Sequence, residues 1–241
     1  DWSGSMENYI NAVRMAMNRF AQSFEAEDKL KWGLIVGPKV IDRRSFIQGH
    51  IEGLVLETDI TDFDSFLTAF SNVGAFDNST GQEALKDALL LSVRSISGNI
   101  NYDFNTATWA NRIDSVPPLQ DFKITWRQDA DRVIVLFTDE HDQTFLVPRL
   151  RDDVVLEALV ATPNLKTYIF AESTVPWREY AQQTGGRVFD LSSNQQQMYD
   201  DMMSILDEIC LSSSQSTGLE VTSDYFLASA WHYDYEKMVC K

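Results

Sequence analysis

The chain has 241 residues, 44% of them hydrophobic and 12% aromatic, with 36 acidic against 20 basic side chains for a formal net charge of −16. That length suits one large α/β domain with a substantial core, or two small ones, and the apolar content excludes a disordered chain. The acidic balance excludes nucleic acid as a partner and disfavours an anionic membrane surface, because both need Lys and Arg to meet their phosphates. No apolar run reaches about 18 residues, so nothing in the sequence reads as a membrane span.

The chain opens on Asp1-Trp2-Ser3-Gly4-Ser5, with an oxygen-bearing side chain at every second position. In an extended or turning backbone, residues i, i+2 and i+4 point the same way. One short loop then offers a carboxylate and two hydroxyls to a single point. That donor set suits a hard divalent cation, Mg²⁺ above all. The plainer use of the same residues is to turn the chain and cap the next helix, which Ser5 could do alone.

Ile10, Val13, Met17, Phe20 and Phe24 recur at spacings of three and four, predicting an amphipathic helix over 6–25. Residues 31–37 read as a strand ending at Gly37-Pro38, and 53–58 as its hairpin partner or edge neighbour. Thr61 or Asp62 caps a helix bearing Phe63, Phe66, Leu67 and Phe70. The turn-forming stretch 74–81 leads into a helix over 82–97. Residues 98–131 show no clean period and read as a long irregular insertion. Arg132–Thr138 is apolar and β-branched nearly throughout, as expected of a central strand covered on both faces.

A helix over 151–160 and a strand over 165–171 follow. Pro176 suits the first turn of another helix, which Gly185-Gly186 stops. Residues 187–191 form the last predicted strand, and Asn194 caps a helix with Met198, Met202, Ile205, Leu206 and Ile209 inward. The repeating β-α order argues for a doubly wound, mostly parallel sheet with helices on both faces. Residues 211–241 read as a Ser-rich linker and an aromatic tail.

The second acidic element stands at the end of the central strand, where Val133-Ile134-Val135-Leu136-Phe137-Thr138 gives way to Asp139-Glu140. Ligands of open α/β sheets gather outside the carboxyl ends of strands, and Asp139 belongs at that edge. Here the chain resembles the von Willebrand factor A domain, the integrin I-like fold with its metal-ion-dependent adhesion site. Asp1, Ser3, Ser5 and Asp139 match the pattern of that site, over a resemblance covering roughly residues 1–210. The segments Glu83-Ala84-Leu85-Lys86-Asp87-Ala88-Leu89 and Thr184–Leu191 are typical of it too. Residues 127–130 and 139–142 look most like bacterial surface or secreted members. On this reading 1–210 is the metal-binding domain and 211–241 a C-terminal extension.

The resemblance implies a hydroxyl ligand on the second loop, for which Thr80 and Ser79 both stand. Glu83 either approaches the metal, as in the integrin β-subunit version, or favours the positive end of the helix that follows. Asn8 lies where those domains carry an acid for a second cation, and an amide is a weak substitute. Glu140 and Asp142 are candidates for the rim of the site or for calcium, against a plainer role as a solvated acidic loop. His141 has no Cys or His neighbour in sequence to make a zinc site. Asn78-Ser79-Thr80 spells a glycosylation acceptor, although a glycan there would block the site. Cys210 and Cys240 are either a disulfide of an exported protein or two reduced thiols.

The implied function is divalent-cation-dependent adhesion, in which Mg²⁺ (or Mn²⁺ or Ca²⁺) captures an Asp or Glu carboxylate of a protein partner. The implied setting is extracellular, on a cell surface or in a secreted assembly. The strand that should lead into Asp1 is not in the sequence. The chain is therefore expected to be a piece of a longer polypeptide, or else another segment takes that strand's place. Two alternatives are an intracellular scaffold in an assembly machine and a metal-assisted hydrolase. Against an enzyme stand the scattered His50, His141 and His232 and the want of a phosphate-cradling glycine loop.

Overall fold

The computed structural model describes residues 4–22, 30–42, 51–73, 84–109, 122–128, 130–172, 177–216 and 223–226. A short 3₁₀ turn, Gly4–Met6, leads directly into α1 (Glu7–Gln22). Strands β1 (Leu30–Asp42) and β2 (Ile51–Thr61) follow, then α2 (Phe63–Ser71) and α3 (Leu85–Val93). Next come β3 (Thr108–Trp109), β4 (Asp131–Thr138), β5 (Leu146–Val147) and α4 (Asp152–Val160). The chain continues through β6 (Leu165–Ala171), α5 (Trp177–Gln183), β7 (Val188–Asp190), α6 (Gln195–Ser216) and β8 (Ser223–Phe226).

Six strands make one sheet in the order β2-β1-β8-β4-β6-β7. Only β2 runs antiparallel to its neighbour, as the hairpin partner of β1. The remaining pairings are parallel. Period-two alternation sorts each strand between two cores. Val133, Val135 and Phe137 of β4 join Tyr168 and Phe170 of β6 under α1, α2 and α6. Ile134, Leu136 and Ile169 face the other way, under α3, α4 and α5. The α/β class with helices on both faces, expected from the sequence, is what the chain forms. Phe137, Phe170 and Phe189 stack across three adjacent strands, with ring centroids 4.7 Å apart at each step.

Local chemistry sets the element ends. Asp62 Oδ1 accepts from Ser65 N at 2.8 Å to cap α2, so Asp62 rather than Thr61 is the cap. Asn194 Oδ1 accepts from Gln196 N and Gln197 N, capping α6 as expected. After α5, Gly185 takes φ +75°, and the bonds Gly186 N to Ala181 O and Gly185 N to Gln182 O close a Schellman motif. A Cβ on Gly186 would lie 2.1 Å from Thr167 O, so the chain can press onto β6 there only without a side chain.

Beyond β1, which runs through the expected Gly37-Pro38 stop to Asp42, and α3, which ends at Val93 rather than 97, two larger parts differ from the sequence reading. The 98–131 segment is not irregular throughout: β3 pairs with β5, and Ile124 and Trp126 are buried in the core. Trp126 Nε1 donates to Ser92 O at 2.7 Å, which ties the segment to α3. The second difference is β8, which lies between β1 and β4 in parallel with both (Leu30↔Ser223, Asp131↔Ser223). A segment beyond residue 210 thus takes the central position that the sequence reading left to an absent strand or a substitute. The helix α6 also runs past 210, to Ser216. Among the described residues no helix is long and apolar enough to cross a membrane.

Candidate functional site

The register of the central strands places two acids side by side. Thr138 of β4 is paired with Ala171 of β6, so Asp139 and Glu172 are the first residues beyond two hydrogen-bonded parallel strands. Neighbouring strands lie about 4.8 Å apart, which sets the scale of the separation between their backbones. Carried one residue further, the alternation that turns Phe137 and Phe170 toward α1 directs both acids to that side. Tyr9 of α1 meets them there: its hydroxyl donates to Glu172 Oε1. That bond, then burial, then the charges of Glu172 and Asp139 raise the phenol above its ordinary range.

Met6 of the 3₁₀ turn and Ile10 of α1 are fully buried in the same core as Phe137 and Phe170, which seats the start of the helix against the sheet. Ser5 stands exposed on the 3₁₀ turn that leads directly into α1, four residues before Tyr9. Asp139 Oδ1 is sealed from solvent and has no hydrogen-bond partner among the described residues. A buried carboxylate oxygen left alone costs about 1–3 kcal/mol or more, so such an atom calls for a partner.

The rest of the β4 exit loop is bound tightly on its other side. Glu140 N donates to Thr138 Oγ1 at 2.9 Å, and Trp177 Nε1 to Glu140 O at 3.0 Å. Lys86 N donates to Gln143 O at 3.1 Å. Asp87, fully buried, accepts from Thr144 Oγ1 and, at 2.7 Å, from Phe145 N. Burial pushes the Asp87 carboxyl up to about 7, against the opposing pull of those hydrogen bonds and of Lys86. Lys86, with its side chain 5% exposed, pairs with Asp142 at 3.4 Å and with Asp152 at the start of α4.

These contacts divide the sequence candidates. Asp142 is held by a buried lysine on the α3 side. Glu140 gives its carbonyl to Trp177, and its carboxylate accepts from Gln143 Nε2 at 3.5 Å. Asp139 faces α1. Asp1, Ser3, Ser79, Thr80, Glu83 and Cys240 lie outside the described residues, as does any pairing of Cys240 with Cys210 of α6. Among the described residues, no group of three or more His, Cys, Asp or Glu side chains forms a metal-holding cluster. A cation at Asp139 would therefore have to draw on hydroxyls, water and the opening residues.

Sequence reasoning missed Tyr9, Glu172 and the Lys86-Asp87 pair. Glu172 had a readable signal, since it follows the apolar strand 165–171 as Asp139 follows 132–138. Lys86 and Asp87 stand out as the two charges in a helix that is apolar but for them and Ser92. Comparison of the chain with protein-family models, with curated proteins and with solved structures found no match.

Proposed function

We propose that this chain is a von Willebrand factor A-like domain that binds a protein partner through a divalent cation. The residues that would hold Mg²⁺ are Asp1, Ser3, Ser5 and Asp139, with a second-loop hydroxyl from Thr80 or Ser79. The observation that carries the reading is the lone, sealed Oδ1 of Asp139. It stands at the carboxyl end of a central strand, on the side of the sheet that α1 covers. That is the edge of an open α/β sheet where ligands bind.

When bound, the cation supplies a positive charge with an exchangeable coordination position. The chain's own part is to limit how far that charge is neutralised. Hydroxyls contribute lone pairs and no charge, so the ion keeps its pull on an incoming carboxylate. The pinned exit loop holds Asp139 in place while the neighbouring acids are engaged elsewhere: Asp142 by Lys86, Glu172 by Tyr9. The setting proposed with this function is extracellular, on a cell surface or in a secreted assembly.

Calorimetric titration with Mg²⁺ or Mn²⁺ tests the reading. The wild type is expected to bind one ion, EDTA to remove it, and Asp139→Asn to abolish binding with a far-UV spectrum unchanged. A wild type that takes up neither ion, or an Asp139→Asn variant that binds as well as wild type, overturns it.

A further inference from the structure

Two carboxylates emerge from adjacent strand ends on the same side of the sheet, and only one is tied down. Glu172 accepts the Tyr9 hydroxyl, whereas Asp139 Oδ1 has no partner among the described residues. Tyr9 is the link between them, since it bonds one acid and lies within reach of the other's charge. We infer that Tyr9 is a restraint that keeps Glu172 off the cation held at Asp139, so that the ion stays available to a partner's carboxylate.

The inference rests on the proposed cation site and concerns its regulation. Adjacent strand ends put Glu172 within a side chain's length of any ion at Asp139. A second strand-end carboxylate on the ion would cancel more of its charge and compete for the open position. Ligand charge count is a main determinant of how tightly such oxygen sites hold their cation. A free Glu172 would thus tighten the ion and weaken its hold on an external acid. The phenol hydroxyl is well suited to prevent this, because it donates to the carboxylate without bringing a charge of its own. It is also fixed by the helix, because Tyr9 of α1 packs against the core beneath it. The proposed hydroxyl ligand, Ser5, lies on the 3₁₀ turn that leads directly into that helix.

The test is Mn²⁺ affinity, by electron paramagnetic resonance or calorimetry, in Tyr9→Phe, in Tyr9→Phe/Glu172→Gln and in Asp139→Asn, with melting temperature as the measure of folding. Tyr9→Phe is expected to tighten Mn²⁺ about tenfold by adding one carboxylate to the ion. Adding Glu172→Gln should cancel that gain. Unchanged or weaker Mn²⁺ binding in Tyr9→Phe overturns the inference, as does a gain that survives Glu172→Gln. If those results come with Asp139→Asn still abolishing binding, the cation site stands and only the restraint falls. A wild type without Mn²⁺ binding removes both. A purely structural Tyr9 would lower the melting temperature and leave Mn²⁺ affinity where it was.

Discussion

Asp139 and Asp142 are three residues apart on one loop, and the molecule treats them in opposite ways. On the α3 side, Asp142 meets buried Lys86, Thr144 and Phe145 are held by Asp87, and Trp177 takes the Glu140 carbonyl. On the α1 side, Asp139 Oδ1 is equally dry and has no partner among the described residues. On the proposed function that oxygen is the position a cation takes, and the α3 flank is the frame that holds it still. If so, substitutions on the two flanks should separate cleanly, the α3 side governing stability and the α1 side governing cation uptake.

The largest effect should come from the frame. Trp177 is wholly buried, packs against Tyr180 with centroids 6.0 Å apart, and donates to Glu140 O. Trp177→Ala should cost about 3–5 kcal/mol, the range for truncating a buried aromatic. Urea denaturation reads this as a lower midpoint. A loss below about 1 kcal/mol would mean the loop does not depend on that flank.

Asp87 gives the frame a pH dependence whose sign is fixed by its burial. Its carboxyl sits at about 7 in the folded chain, against an ordinary 3.8. Between these values the folded chain holds a proton that the unfolded chain has released, so stability falls as pH rises through roughly 4 to 7. Below that window both states are protonated and the contribution is fully present. The groups facing Asp87 are the Thr144 hydroxyl, the Phe145 and Leu146 amides, the Lys86 ammonium and the Tyr102 phenol. Asp87→Asn should flatten the decline measured by chemical denaturation across that window. An unaltered slope would place the titrating group elsewhere.

Much of this frame and little of the site's detail could be read from the sequence, and the reason is range. The central strand, the Asn194 cap and the Gly185-Gly186 stop depend on neighbours within a few residues, and each formed where the pattern put it. Asp139 at the end of β4 is legible because an apolar strand ending in an acid is itself a local signal. The Tyr9 to Glu172 bond joins residues 163 apart, and nothing near either of them announces it. Nor does β8 carry a trace in its sequence: Ser223-Asp224-Tyr225-Phe226 has neither the alternation nor the apolar run of a strand, and only the channel between β1 and β4 gives it a place. The 98–131 stretch read as irregular for the same reason, because Trp126 and β3 find their partners on α3 and β5 rather than next to them in sequence.

On the open flank the expected effect is smaller and depends on conditions. Asp139→Asn keeps the shape and removes the charge from a group that accepts nothing at Oδ1. Without cation, its stability should match wild type within about 1 kcal/mol. With Mg²⁺ at about one hundred times its dissociation constant, the wild type should gain about 2.7 kcal/mol by mass action and the variant nothing. Thermal melts with and without EDTA measure both. A wild type whose melting temperature ignores Mg²⁺ would erase the distinction between the flanks.

Ser5 gives the finest test, because its burial and its proposed role point to effects of very different size. It is exposed, on the 3₁₀ turn whose own Met6 supplies the buried anchor. Ser5→Ala should therefore cost no more than the loss of a helix-capping hydroxyl, about 1 kcal/mol. As a neutral ligand it affects the cation differently from Asp139: its loss leaves the acids in place and lets water take the vacated position. Mg²⁺ affinity should fall, but less than for Asp139→Asn, where a charge is lost as well. A Ser5→Ala variant that melts several degrees lower yet binds Mg²⁺ as tightly as wild type would assign Ser5 to the helix start alone. The site would then keep its central acid but lose the hydroxyl that ties it to the opening of the chain.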